Sequence, residues 1–226
     1  MLLYYITDRQ GFAGTDTGQR TALLRRIAEA ARAGVDYIQL REKDLSPREL
    51  ERLAREAVRA VRDSSNTTKL LINGRADVAL ACAADGVHLP SGELPASEIR
   101  ALWITSCHRE PVIGVSAHSL ADVRGAEAQG ANFAVLAPIF EKVQTAVKGI
   151  GLDALREACL APSDRGDAEA PASARFAVLA LGGVSLTNAR ACLQAGAAGL
   201  AGIRLFQNGD LLETVRQLRV LHKSHQ

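Results

Sequence analysis

The 226-residue sequence is short of aromatics, 4% of the total, and of sulfur, with four cysteines and one methionine. Cys82, Cys107, Cys159 and Cys192 are scattered, form no CxxC pair and stand at no zinc-finger spacing from histidine. That excludes a disulfide framework and a structural zinc site. Cys82, Cys159 and Cys192, in Ala/Leu-rich helical contexts, are expected to be small core residues, in a reducing compartment. No apolar run is long enough to cross a bilayer. Met1 to Thr7 is apolar but lacks the basic start and cleavage site of a secretory signal, so a cytoplasmic location is the expectation. Charge of one sign is lacking too: 27 Lys and Arg stand against 25 Asp and Glu, a net +2. So small an excess argues against nucleic acid and membrane partners.

What the chain does have is alternation. Short apolar runs, Leu3–Thr7, Val35–Leu40, Lys69–Ile72, Gly86–Leu89, Val112–Val115, Phe133–Leu136, Phe176–Leu181 and Gly199–Gly202, are separated by longer amphipathic stretches. Continuous rather than alternating hydrophobicity marks strands buried on both faces. Ser46-Pro47-Arg48-Glu49 reads as an N-cap, a helix-starting proline and a capping box, and similar openings stand at Ser119 with Asp122 and at Ser185 before Leu186. Eight strand–helix units in a chain of this length predict a single (β/α)8 TIM-barrel domain over residues 1–226, since that fold needs roughly 200–250 residues. The small, polar, proline-bearing stretch 161–175 is expected to be a flexible connection on the N-terminal face, not a domain boundary.

In such a barrel the residues just after each strand face a common mouth. Here those places carry Gln39, Arg41, Glu42 and Lys43; Asn73 and Arg75; His88 and Glu93; Ser116 and His118; and a sixth loop with Glu141, Lys142, Thr145 and Lys148. Arg41, Lys43, Asn73, Arg75 and Lys148 converging on one mouth predict an anion pocket. Asp77, further into its helix, reads as a solvated or capping group. The seventh strand ends Gly182-Gly183 and the eighth Gly202-Ile203-Arg204. Phosphate often binds in these two loops of a barrel, where glycines let backbone amides approach the oxygens and Arg204 is a candidate charged fork.

Several ordered motifs carry a resemblance. They are Tyr5-Ile6-Thr7-Asp8-Arg9, Gln39-Leu40-Arg41-Glu42-Lys43, Asp85-Gly86-Val87-His88-Leu89, Gly114-Val115-Ser116-Ala117-His118-Ser119, Pro138-Ile139-Phe140 and Leu181-Gly182-Gly183-Val184. Nearly end to end, the chain resembles the thiamine phosphate synthase / TenI superfamily, which implies this barrel and a phosphorylated thiazole as small-molecule partner. The synthase branch joins hydroxymethylpyrimidine diphosphate to thiazole phosphate, releasing pyrophosphate. Its Mg²⁺ is held by aspartates in an Asn-Asp-Arg motif after strand three and a Gly-Gln-Glu-Asp run after strand four. Asn73-Gly74-Arg75 and Pro90-Ser91-Gly92-Glu93 stand there instead, leaving Glu93 as the one candidate metal ligand.

The TenI branch tautomerises a carboxythiazole phosphate without metal, and Asn-Gly-Arg, Pro-Ser-Gly and His-Ser-Leu are closer to it. Its catalytic histidine, however, is replaced by Pro138, as in synthases. The resemblance therefore implies a TenI-like thiazole tautomerase needing no cofactor. Of the residues near the mouth that could move its proton, His118, His88, Glu141 and Lys142, His118 is favoured because imidazole changes charge near neutral pH, with Arg41 and Lys148 as further catalytic candidates. Gln39, Arg41 and Lys43 keep the pattern that contacts the diphosphate in synthases. Two alternatives stay open: a divergent synthase using Mg²⁺ through Glu93, and a non-catalytic binder of thiazole or thiamine phosphate. Self-association into a homo-oligomer is compatible with each.

Overall fold

The structure is a computed structural model and describes residues 1–141, 148–160 and 176–223. Eight parallel strands close into a barrel in chain order: β1 (Leu2–Ile6), β2 (Tyr37–Leu40), β3 (Lys69–Asn73), β4 (Gly86–Leu89), β5 (Val112–Ala117), β6 (Phe133–Leu136), β7 (Ala177–Ala180) and β8 (Gly199–Gly202). β8 pairs back onto β1 through Leu2↔Gly199 and Tyr5↔Gly202. The helices are α1 (Asp16–Arg32), α2 (Pro47–Arg62), α3 (Ala76–Ala81), α4 (Ala96–Cys107), α5 (Leu120–Ala128), α6 (Gly151–Leu160), α7 (Ala189–Gln194), α8 (Arg204–Gln207) and α9 (Leu211–Lys223). This is the expected (β/α)8 barrel. The stretch 161–175, Lys142 and Thr145 lie outside the described residues.

Strand side chains alternate between two cores. Leu3, Tyr5, Ile38, Leu40, Leu70 and Ile72 pack outward against the helices, while Tyr4, Ile6, Leu71, Phe133, Val135, Leu179 and Ala201 fill the interior. Three of the nine aromatics, Tyr4, Tyr37 and Phe133, meet in that interior. Tyr37 stacks on Phe133 at 5.1 Å, and Tyr4 meets Phe133 edge-on at 5.3 Å. These large rings plug the barrel, so the open space lies above them, at the C-terminal ends of the strands.

Local chemistry explains several helix starts. Ser46 and Glu49 form the expected capping box on α2, and Ser119 accepts from the Asp122 amide to cap α5. The opening expected at Ser185 is different. Asn188 Oδ1 accepts from the Ser185 amide at 2.8 Å, which holds 185–188 as a turn, and α7 starts only at Ala189. No described helix is long and apolar enough to cross a membrane.

Candidate active site at the barrel mouth

The strand ends surround a cavity of about 910 Å³. Its apolar lining comes from Ile6, Val135, Leu181 and Ala201, and its polar groups stand on two separate stretches of rim. β1 lies between those stretches on one side and β4 to β6 on the other.

The first stretch follows β2 and β3, with Gln39, Arg41, Lys43 and Asn73. Gln39 and Asn73 are inward residues of paired strands, and Gln39 Nε2 donates to Asn73 Oδ1 at 2.8 Å. Between the two cations, Glu42 turns the other way and is buried. Its carboxylate accepts from Thr7 Oγ1 at 2.6 Å and from the Arg9 amide at 3.0 Å. Thr7 Oγ1 in turn accepts from the Arg41 amide at 3.0 Å. The buried Thr7–Glu42 pair thereby anchors the backbone from which Arg41 reaches the cavity. Arg9 braces the same corner through Asp44 at 2.7 Å and Asp16 at 2.8 Å. Burial pushes the Glu42 carboxyl above its ordinary range, while the bonds from Thr7 and Arg9 pull it back.

The second stretch follows β7 and β8, with Gly182, Gly183, Gly202, Ile203 and Arg204. Among the described residues, none accepts a hydrogen bond from the Gly183 or Ile203 amide. Such amides suit phosphate oxygens. The glycines answer a further demand that the sequence does not announce. Gly182 and Gly183 have φ of +95° and +67°, and β-carbons on them would lie 2.7 Å from Pro138 Cα and 2.8 Å from Phe140 Cβ. The loop after β6 packs directly on this turn, so packing and backbone conformation by themselves favour glycine at both positions.

On β5, Ser116 lines the cavity and bonds to His88 Nε2 at 2.9 Å. His118 is exposed at the rim, its Nδ1 2.8 Å from the Ala137 carbonyl oxygen. A carbonyl only accepts, so Nδ1 carries a proton, and in the neutral ring the lone pair is on Nε2. His118 thus stands at the rim with one ring nitrogen bonded, whereas His88 is buried and bonded on both sides.

Other expected site residues are not brought in. Arg75 does not line the cavity; its guanidinium is held in a fork by Asp77, at 2.6 and 2.8 Å. Asp77 is thus an ion-pair partner, held below the ordinary carboxylate range by Arg75. Lys148 is exposed and likewise outside the lining. Glu93 does not line the cavity either, but it stands close beside it. A β-carbon on Gly74 would lie 3.6 Å from Glu93 Oε2 and from the ring of Pro90, which does line it. The carboxylate of Glu93 therefore occupies space next to the position where the synthase motif carries its first aspartate.

Among the described residues, no group of three or more His, Cys, Asp or Glu could hold a metal ion. A lone carboxylate still suits Mg²⁺ when substrate phosphates and waters complete its shell. Glu93 fits that more limited role.

The residues missed by sequence reading are Thr7, as anchor of Arg41, and Tyr4, behind His88. Each acts through a partner distant in the chain, which leaves no local signal.

The family model described as thiamine monophosphate synthase, TMP-TENI, matches residues 3–206. The chain is 38% identical over 205 residues to the "Putative thiamine-phosphate synthase 2" of Aquifex aeolicus, covering 90% of this chain and 96% of that protein. To the thiamine-phosphate synthase of Methanoregula boonei it is 34% identical over 220 residues, covering 96% and 91%. Among solved structures, the thiamine phosphate pyrophosphorylase from Pyrococcus furiosus superimposes with a TM-score of 0.75 at 27% identity, covering 99% of this chain and 96% of that one. With its closed barrel and two-sided polar mouth, the chain belongs to the thiamine monophosphate synthase (TMP-TENI) family.

Proposed function

We propose that this barrel is a thiamine-phosphate synthase, joining hydroxymethylpyrimidine diphosphate to thiazole phosphate with release of pyrophosphate. The observation that carries the reading is a pair of rim stretches, each suited to an anion, on one cavity. Arg41 and Lys43 stand on one, and the Gly182-Gly183 and Gly202-Ile203 loops on the other. A volume of about 910 Å³ lies at the upper end of the usual range for ligand pockets and suits two substrates at once. Relatives named thiamine-phosphate synthase favour this reading over the metal-free tautomerase that the Asn-Gly-Arg and Pro-Ser-Gly motifs suggest.

Each part of the mouth then has a task. Arg41 and Lys43 neutralise charge on the diphosphate as it leaves, which is where preorganised cations accelerate the reaction. The Thr7–Glu42 anchor holds Arg41 in place before substrate arrives. The Gly183 and Ile203 amides hold the thiazole phosphate and so orient its ring towards the pyrimidine. The apolar lining of Ile6, Val135, Leu181 and Ala201 keeps water from intercepting the ionised pyrimidine. Mg²⁺, when bound, adds further charge neutralisation at the diphosphate, and Glu93 is the residue that would hold it.

The test is release of pyrophosphate from the two substrates with and without Mg²⁺, run beside NMR of a carboxythiazole phosphate. Mg²⁺-dependent release supports the synthase reading. Metal-free aromatisation without coupling would overturn it in favour of the tautomerase. The specific structural support for that reading is the Nε2 of His118, which has no hydrogen-bond partner among the described residues and stands at the cavity. Tight binding with neither reaction would leave a carrier.

A further inference from the structure

Beneath the cavity, three residues of three strands form a chain of hydrogen bonds. Tyr4 Oη is 3.1 Å from His88 Nδ1, and His88 Nε2 is 2.9 Å from Ser116 Oγ. Tyr4 is fully buried and His88 nearly so, whereas Ser116 lines the cavity. Gly114 makes room for the arrangement: a β-carbon there would lie 2.9 Å from His88 Nδ1 and 2.6 Å from the Phe133 ring.

Proton positions in this chain follow from hydrogen-bond accounting. The Tyr4 hydroxyl meets His88 and, among the described residues, no other hydrogen-bond partner. If Nδ1 carried the imidazole proton, the tyrosine oxygen would accept it and the tyrosine O–H would be buried unmatched. That arrangement is disfavoured by roughly tenfold or more. With the proton on Nε2, Tyr4 donates to Nδ1, Nε2 donates to Ser116 Oγ, and every buried group is satisfied. The Ser116 hydroxyl proton is then left for whatever stands in the cavity. An imidazolium would meet the same unmatched tyrosine hydroxyl. Burial, and secondarily the charge of Arg41, oppose it as well, pushing His88 down to about 3.

We propose that Tyr4 and His88 are positioning residues that fix Ser116 as a hydrogen-bond donor into the cavity, so that the site selects a ligand presenting a lone-pair acceptor there. That acceptor is a phosphate oxygen or an unprotonated ring nitrogen. The selection half of the proposal rests on the mouth being the substrate site; the proton arrangement does not.

The first arm of the test therefore needs no ligand. In ¹⁵N-histidine NMR of the free protein near neutral pH, His88 carries its proton on Nε2, and in Tyr4→Phe it becomes a mixture of tautomers. A proton on Nδ1, or titration of His88 near the ordinary value of about 6.5, overturns the proposal whatever the ligand.

The second arm measures affinity for inorganic pyrophosphate, thiazole phosphate and hydroxymethylpyrimidine diphosphate by calorimetry. Ser116→Ala weakens the ligand that meets it about tenfold, and Tyr4→Phe weakens the same ligand several-fold. The double variant binds no more weakly than Ser116→Ala, because Tyr4 acts through Ser116. His88→Gln, whose amide still donates to Ser116, keeps that affinity within about threefold, while His88→Leu does not. Additive losses from Tyr4→Phe and Ser116→Ala, or unchanged affinity for all three probes in Ser116→Ala, would refute the selection. Wild-type protein that binds none of the probes would sink the assignment of the mouth instead, and the tautomer arm would still decide the direction of the bonds.

Discussion

Thr7→Val replaces a fully buried hydroxyl with a methyl of nearly the same size, so its effect isolates two hydrogen bonds. One is the 2.6 Å bond to Glu42, and the other is the 3.0 Å bond accepted from the Arg41 amide. A bond to a charged group contributes about 1.5–3 kcal/mol, and a buried amide left without an acceptor costs about 1–3 kcal/mol. Both losses share one oxygen and do not add fully, so a destabilisation of about 2–4 kcal/mol is expected. Typical domains have about 5–15 kcal/mol in hand, so the variant stays folded for measurement.

Urea unfolding should show a lower midpoint at unchanged slope, and Thr7→Ser should stay within about 1 kcal/mol of wild type. The pH dependence has a definite sign. Burial raises Glu42 in the folded state, so its favourable contribution is present below the unfolded carboxylate value and lost as pH rises through the folded one. Removing Thr7 removes a bond that lowers that folded value, so the Thr7→Val deficit should be larger near neutral pH than in acid. Pyrophosphate affinity should fall several-fold because Arg41 loses its anchor. A deficit below about 0.5 kcal/mol, equal at both pH values and without loss of affinity, would refute the anchoring argument.

Other substitutions separate the remaining parts of the account. Gly183→Ala meets a φ of +67° and a 2.8 Å approach to Phe140, so it should lose about 1–3 kcal/mol in urea unfolding and weaken thiazole phosphate binding; wild-type stability would contradict the packing argument. Arg41→Ala should weaken pyrophosphate binding more than about tenfold while Arg75→Ala, already paired with Asp77, changes it less than about twofold; equal effects by calorimetry would restore Arg75 to the site. His88, held at about 3 in the folded state, is depressed below its unfolded value, so it contributes stability above about 6.5 that is lost as pH falls towards 3. His88→Gln should flatten that acid slope in urea unfolding, and an unchanged slope would count against a buried neutral imidazole. Glu93→Gln should raise the Mg²⁺ concentration needed for pyrophosphate release by about tenfold without changing metal-free pyrophosphate binding; an unaltered requirement would remove Glu93 from the metal's shell.

Fold and site were legible to different depths. All eight strands stand within two residues of where the apolar runs put them, because strands buried on both faces have an unmistakable composition and their order is fixed by chain connectivity. The capping box of Ser46 and Glu49 was equally plain, being a local pattern. Asn188 was not, since its side chain bonds backwards to Ser185 and delays the helix. The position of a polar residue after a strand says that it stands near the mouth, but not which way it turns. Arg41 and Lys43 turn in, Glu42 buries itself against Thr7, and Arg75 turns to Asp77 two residues on. Tyr4, His88 and Ser116 lie 84 and 28 residues apart, so their chain of bonds exists only once the barrel closes. The glycines at 182 and 183 were visible, but their contact with the loop after β6 was not.

As a synthase, the protein should hold two anions in one cavity at once, at Arg41 and Lys43 and at the Gly182-Gly183 and Gly202-Ile203 loops. Calorimetric titration of pyrophosphate into protein already saturated with thiazole phosphate tests it most directly. Pyrophosphate should bind with an affinity equal to or higher than that for the free protein, and lose it in Arg41→Ala. Competition, with pyrophosphate affinity falling in proportion to the thiazole phosphate present, would mean a single anion site and would contradict the account.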